Sequence, residues 1–383
     1  MGSGPPAGRD GAASQVCVSM SREPEPGPGV SAARAAPGAL VARVLAGAWG
    51  AAPPPLVLAE NELSVAVPSL CHSGAGALAW WRLRHHALAH SQAGQALQAM
   101  YLRHTVEART ATRRLVAVFE RLRGAGVEPL LAKGWAIARH YAEPGLRPYS
   151  DIDLIVRPEE CDRARAALAA IPPAGPPVDW HAGPERLDPR PFEELAARTE
   201  TVALGDTTIR VLGPEDHLRV LSMHALRHDV GRPIWLCDLA VALAARPPAF
   251  DWRRCLGPDE RIAGWVASVL GLAHRLLGAP VADTPVAARA ADLPGWLPVS
   301  VLRRWGQSPV RGLASHVPLG QALPTLARDP ARLWEDLVLR WDRPIKYTLD
   351  LGRPLSAWPR WPFQLAGVVR RAPHVLRTLA RPR

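Results

Sequence analysis

Residues 130–156 read LLAKGWAIARHYAEPGLRPYSDIDLIV, and the order of elements in this stretch decides the fold. A short apolar run, Leu130 to Ala132, stops at Lys133-Gly134 and reads as a buried strand. WAIARHYA reads as a helix closed by Pro144-Gly145, and DIDLIV as a second strand stopped by Arg157-Pro158. Side chains two apart on a strand share a face. Asp151 and Asp153 therefore point together, while Ile152 and Leu154 point the other way into a core. Neighbouring carboxylates repel unless a cation lies between them. Mg²⁺ meets that need, because it prefers carboxylate oxygen, with water and phosphate completing its shell. A solvated strand edge is the bland reading of the same Asp-x-Asp.

The flanks of the motif favour an anion nearby. Lys133 is one of only two lysines in a chain that otherwise uses arginine. A lysine offers a compact point charge to a triphosphate. Gly134, between strand and helix, lets backbone N–H groups approach phosphate. Arg147 and Ser150, just before the aspartates, can reach the same anion. A lysine there by chance is the competing reading.

Outward from this centre, the chain divides by composition and period. Residues 1–33 are rich in Gly, Pro, Ser and Ala and read as a disordered tail. Residues 34–126 are helical in pattern, with Leu40, Val41, Val44 and Leu45 at helical spacing. A long helix is expected from about Gln95 to Arg123, stopped by Gly124 and Gly126. Residues 127–213 alternate strands and helices. They include EECDRARAALAAI as a helix, PVDWHA as a strand, and TETVAL and TTIRVL as a hairpin around Gly205-Asp206. Residues 214–280 return to helices, and residues 281–383 are rich in Pro, Trp and Arg. The fold class expected is α+β: a small mixed sheet with helices, flanked by helical regions on both sides.

The formal net charge is +11. From Val301 onward there are fifteen Arg and Lys against five Asp and Glu, so this end holds nearly the whole excess. The remainder is balanced, which excludes a chain that binds nucleic acid along its whole length. Trp334, Trp341, Trp358 and Trp361 stand among these arginines. They suit an anionic membrane surface, a protein, peptide or RNA partner, or a solvated tail whose tryptophans pack on the body. The five cysteines are scattered without a Cys-x-x-Cys pair, which argues against a disulfide framework or zinc site and for a reducing compartment. Neither a signal peptide nor a run of about 18 apolar residues is evident. A cytoplasmic location is expected, with peripheral membrane association through the basic region as an addition.

L-x-K-G, a Tyr, and then G-L-R-P-x-S-D-I-D-L-I-V resemble the uncharacterised nucleotidyltransferase-like family of the DNA polymerase β-like superfamily. V-D-W-H at Val178 to His181 resembles that family's later strand. I-R-V-L, P-E-D-H, M-H-A-L-R-H and W-L-C-D-L-A resemble its helical C-terminal part. The superfamily's Gly-Ser motif is replaced here by Lys133-Gly134. The resemblance implies an NTP substrate, ATP first among them, and two Mg²⁺ ions held by Asp151 and Asp153, with Asp179 as third carboxylate and proton acceptor. Lys133, Gly134 and Ser150 would position the phosphates, with Arg147 beside them. The product would be a nucleotidylated small molecule, peptide or protein. A nucleotide-binding scaffold without catalysis is the alternative. His181, His217, His224 and His228 read first as structural histidines. His224 and His228, four residues apart without an intervening Glu, are weak evidence for zinc, and a third option is that His224 or His228 lines the acceptor side of the cleft.

Overall fold

The computed structural model describes residues 36–171, 175–184, 188–307, 343–367 and 369–370. The expected disordered tail, Trp334 and Trp341 lie outside the described residues. Four helices open the described chain: α1 (Ala36–Leu45), α2 (Glu60–His72), α3 (Gly76–Leu83) and α4 (Gln92–Gly124). The sheet region follows as β1 (Leu130–Ala132), α5 (Gly134–Ala138), β2 (Ile152–Val156), α6 (Cys161–Ala169), β3 (Val178–Ala182), α7 (Phe192–Ala196), β4 (Glu200–Leu204) and β5 (Thr207–Val211). Helices α8 (Pro214–Arg227), α9 (Pro233–Ala244), α10 (Trp252–Leu256) and α11 (Glu260–Leu277) come next, then α12 (Ala287–Ala291), α13 (Trp296–Trp305) and α14 (Pro344–Asp350). The architecture is the expected α+β arrangement. The helix expected over WAIARHYA ends at Ala138, and the turn that replaces its last part carries Tyr141 to a buried partner, Asp238.

The five strands form one mixed sheet in the order β3-β2-β1-β5-β4. β1 runs antiparallel to β2 and parallel to β5, β2 is parallel to β3, and β4 and β5 form the expected antiparallel hairpin. Period-two alternation sorts β2 between two cores. Ile152, Leu154 and Val156 join Leu115, Phe119 and Leu122 of α4 and Ala164 of α6 on one face. Ile155 joins Leu130, Ala132, Phe192 and Leu195 on the other. All five β2 residues are buried. Asp153, which lies on the Ile155 side by alternation, is thus held in low-dielectric surroundings.

Helix α4 is long enough to serve two cores. Ser91 caps its start by accepting from the Gly94 N–H at 3.1 Å. Its early residue Leu97 packs with α1, α2, α3, α8, α9 and α11, while its last turns cover the sheet. Helices from before and after the sheet therefore share one large apolar core. A buried ion network fixes the sheet side against α8. Arg190 bridges Asp188 (2.8 Å) and Asp216 (2.7 Å), Arg219 reaches Asp188 (2.8 Å), and Arg198 reaches Asp216 (3.0 Å). Buried charges of this kind are tolerated only when paired and hydrogen-bonded, so they specify one docking geometry. No helix among the described residues is long and apolar enough to cross a membrane.

Candidate active site

The site begins where β1 ends. Lys133 and Gly134 adopt positive φ, +50° and +38°, so the chain turns sharply out of the sheet into α5. Positive φ is costly for a lysine and is tolerated where the surroundings over-determine the conformation. At Gly134, a Cβ would lie 3.5 Å from the Asp151 carbonyl oxygen and 3.7 Å from Tyr149 Cβ. The turn after β1 and the segment entering β2 are therefore packed together, which brings Lys133 to the aspartates.

Strand register does the rest. Ala132 stands opposite Asp153 on β2, and Asp153 stands opposite Asp179 on β3. The Lys133 ammonium forms an ion pair with Asp153 Oδ1, and both side chains are nearly inaccessible. Asp153 nevertheless has its pKa raised to about 6. Burial is the main cause, opposed by Lys133 and reinforced by the charges of Asp151 and Asp179. Ligand atoms of Asp153, Asp179 and His181 all lie within 4.8 Å of one another. His181 Nε2 is 3.5 Å from Asp179 Oδ2; the imidazole is buried and the carboxylate is about half exposed at 53 %. Two carboxylates and one imidazole at this separation fit a divalent cation.

This differs from the expected three-aspartate set in one member. Asp153 and Asp179 lie in one cluster with His181, and Asp151 is outside it. Asp151 precedes β2, whose first residue is Ile152, and faces the adjoining cleft instead. The cleft has a cavity volume of about 130 Å³ and opens to solvent. One wall comes from the sheet side: Lys133, Gly134, Tyr149, Ser150, Asp151 and Asp153. The other comes from the helices: Leu221, His224, Arg232, Trp235 and Asp238.

Arg147 borders the same cleft, yet its guanidinium is given to Asp238 rather than left free for an anion. Nη2 donates to Oδ2 at 2.7 Å and Nε to Oδ1 at 3.1 Å, while Nη1 donates to the Pro148 carbonyl at 2.9 Å. The Tyr141 hydroxyl donates to the same carboxylate at 2.9 Å. Burial opposes the Arg147 charge, but Asp238 outweighs it and the pKa is raised. Arg147 thus ties the loop carrying Ser150 and Asp151 to α9.

His224 lies on the cleft wall. Its ring stacks edge-on to Trp235 at 5.0 Å and lies 4.7 Å from His228. Burial, with Lys133 and other cations nearby, holds its pKa well below the usual range, so the imidazole is neutral. His217 is buried outside the cleft lining, its pKa pushed down to about 3 by burial first and neighbouring cations second.

Sequence reasoning did not single out Arg232, Trp235 or the anchoring role of Asp238. The signal for Asp238 was present: a single carboxylate inside IWLCDLAVALAA must find a buried partner. Arg232 carried no such signal in an arginine-rich chain.

A model of the family described as "Uncharacterised nucleotidyltransferase" matches residues 71–171 and 178–277, more than half of the chain. Every residue of both cleft walls and of the Asp153–Asp179–His181 cluster falls within those spans. No curated protein and no solved structure matches the chain.

Proposed function

Since the chain belongs to the uncharacterised nucleotidyltransferase family, we propose that it transfers a nucleoside monophosphate from an NTP, ATP first, to the hydroxyl of a small-molecule, peptide or protein acceptor. The convergence of Asp153 and Asp179 beside the Lys133-Gly134 turn carries this reading. The acceptor oxygen bonds to the α-phosphorus, the bond from that phosphorus to the bridging oxygen breaks, and pyrophosphate leaves with the electron pair. Asp153, Asp179 and His181 are the residues that would hold Mg²⁺ or a related divalent cation. Such a cation supplies positive charge to the departing pyrophosphate and eases ionisation of the acceptor hydroxyl.

The remaining roles belong to this chain's own groups. Lys133 keeps the buried Asp153 ionised and has further N–H donors to give to phosphate oxygens. Gly134 and Ser150 border the space where the phosphates lie. Arg147 positions the Ser150–Asp151 segment through Asp238. Asp179, half exposed, accepts the acceptor's proton and passes it to solvent, with His181 orienting it. Catalysis of this kind rests on orientation and charge neutralisation.

One observation favours a second reading, nucleotide binding without transfer: the Lys133–Asp153 ion pair takes up one carboxylate of the cluster. An NTP panel with Mg²⁺, followed by mass spectrometry for a nucleoside monophosphate on protein, peptide and small-molecule fractions, separates the two. Transfer by wild type and none by the Asp151→Asn, Asp153→Asn double variant supports the enzyme. Equal nucleotide binding by both, without transfer by either, supports the scaffold.

The basic end of the chain is proposed to contact an anionic surface. Trp358 and Trp361 do not pack on the body: they are 75 % and 62 % exposed. Exposed tryptophan is characteristic of a membrane-interface segment, whereas Arg360 between the two is buried against Trp296 and Phe363.

A further inference from the structure

The cleft contains three buried or half-buried cations from arginine and lysine, and two of them are already neutralised. Lys133 is paired with Asp153 and Arg147 with Asp238. The third is Arg232, at the start of α9 on the helical wall. Its Nε donates to the Ser73 carbonyl at 2.9 Å, which fixes the side chain. Among the described residues no carboxylate lies within ion-pair distance of it. The Nη2 end is packed so closely that a Cβ on Gly74 would lie 2.7 Å away, and Gly74 has φ +81°. Glycine at that position therefore leaves room for the guanidinium. Trp235 sits beneath it, with Cζ 5.8 Å from the ring centroid.

Holding a guanidinium in a fixed, partly desolvated position without a counter-ion is costly unless a ligand supplies one. Across the same cleft Arg147 repels Arg232, while Asp238 and, less strongly, Asp151 attract it without forming an ion pair, so its charge is only partly offset. A planar fork of N–H donors matches the geometry of phosphate oxygens. We propose that Arg232 is the anion-binding residue of the helical wall and takes a phosphate oxygen of the nucleotide, so that the phosphate site is shared between sheet and helices. Identifying the anion as nucleotide phosphate rests on the function proposed above; the anion site itself does not.

The test uses the whole chain and inorganic tripolyphosphate, with adenosine as the uncharged comparison, read by titration calorimetry. Wild type is expected to bind tripolyphosphate, and Arg232→Gln to weaken it about tenfold or more without changing adenosine binding. Arg232→Lys keeps the charge and loses the fork, so it should retain part of the affinity. It also keeps the proposal testable should the glutamine variant fold poorly, with near-ultraviolet circular dichroism as the folding check. Absence of tripolyphosphate binding by wild type overturns the proposal, as does equal binding by wild type and Arg232→Gln. A loss in Arg232→Gln that extends equally to adenosine also overturns it, because it points to an aromatic subsite on Trp235. Arg232-dependent tripolyphosphate binding in a protein that transfers no nucleotide leaves the anion site standing and removes only the transfer reading.

Discussion

Replacing Asp238 by leucine tests how the two walls of the cleft are held together. The carboxylate is 1 % exposed and the Arg147 side chain 10 %. It accepts from Arg147 through both oxygens and from the Tyr141 hydroxyl. Leucine fits the apolar surroundings of α9 but leaves a guanidinium buried without a counter-charge. Removing one partner of a buried pair costs about 3–5 kcal/mol. The orphaned Tyr141 hydroxyl adds about 1 kcal/mol or more. Arg147→Met removes the uncompensated charge, so the double variant should regain about 2–3 kcal/mol relative to Asp238→Leu alone. Urea unfolding followed by circular dichroism measures both. With a slope near 3 kcal/mol/M for a chain of this size, the single variant's midpoint should fall by about 1 M or more. A single-variant loss under about 1 kcal/mol would refute the buried-clamp reasoning. So would strictly additive losses in the double variant, because the cycle would then show no coupling between the two side chains.

His217 makes stability pH-dependent. Its imidazole has a folded pKa of about 3 against an ordinary 6.5. The unfolded chain therefore takes up a proton below about pH 6.5 while the folded chain does not, and stability present at pH 7 is lost as pH falls. Between pH 7 and 5 this one group should cost about 2 kcal/mol. In urea titrations at the two pH values, His217→Gln should show a correspondingly smaller drop, and an unchanged drop would count against the assignment. The imidazole in the proposed cation site favours metals that bind nitrogen. Co²⁺ should therefore bind more tightly than Mg²⁺, with a visible absorption band that His181→Ala alters; an identical spectrum in the variant would exclude His181 as a ligand. Trp358→Ala with Trp361→Ala should lower co-sedimentation with phosphatidylserine-containing vesicles, while binding to neutral vesicles stays low throughout. Equal sedimentation of wild type and variant would remove the surface-contact proposal.

The parts of the site legible in the sequence are those set by local rules. Period-two alternation placed Ile152 and Leu154 in a core, and the turn signal at Lys133-Gly134 marked the exit from β1. Alternation could not say which aspartate joins the cation cluster, because that depends on pairing between strands. β2 begins at Ile152, so Asp153, not Asp151, stands opposite Asp179. His181 follows from the same pairing: it lies two residues after Asp179 and shares its face of β3.

The second wall was not legible for a different reason. Arg232, Trp235 and Asp238 lie some eighty residues beyond β2, and only the packing of α8 and α9 against the rest brings them to Lys133. That packing is carried by the shared apolar core and by the Asp188–Arg190–Asp216–Arg198 network, whose members show no local period. A motif on a strand can therefore be read without knowing the fold, whereas a cleft between two walls cannot. The consequence for function is concrete: the sheet side supplies the carboxylates of the cation cluster and a lysine already bound to one of them. The cation without a counter-ion, and the aromatic surface beside it, come from the helices. On the proposed reading, selectivity beyond phosphate would be set by α8 and α9, where substitutions at Leu221, His224 and Trp235 alter the wall without touching the carboxylates of the cation cluster.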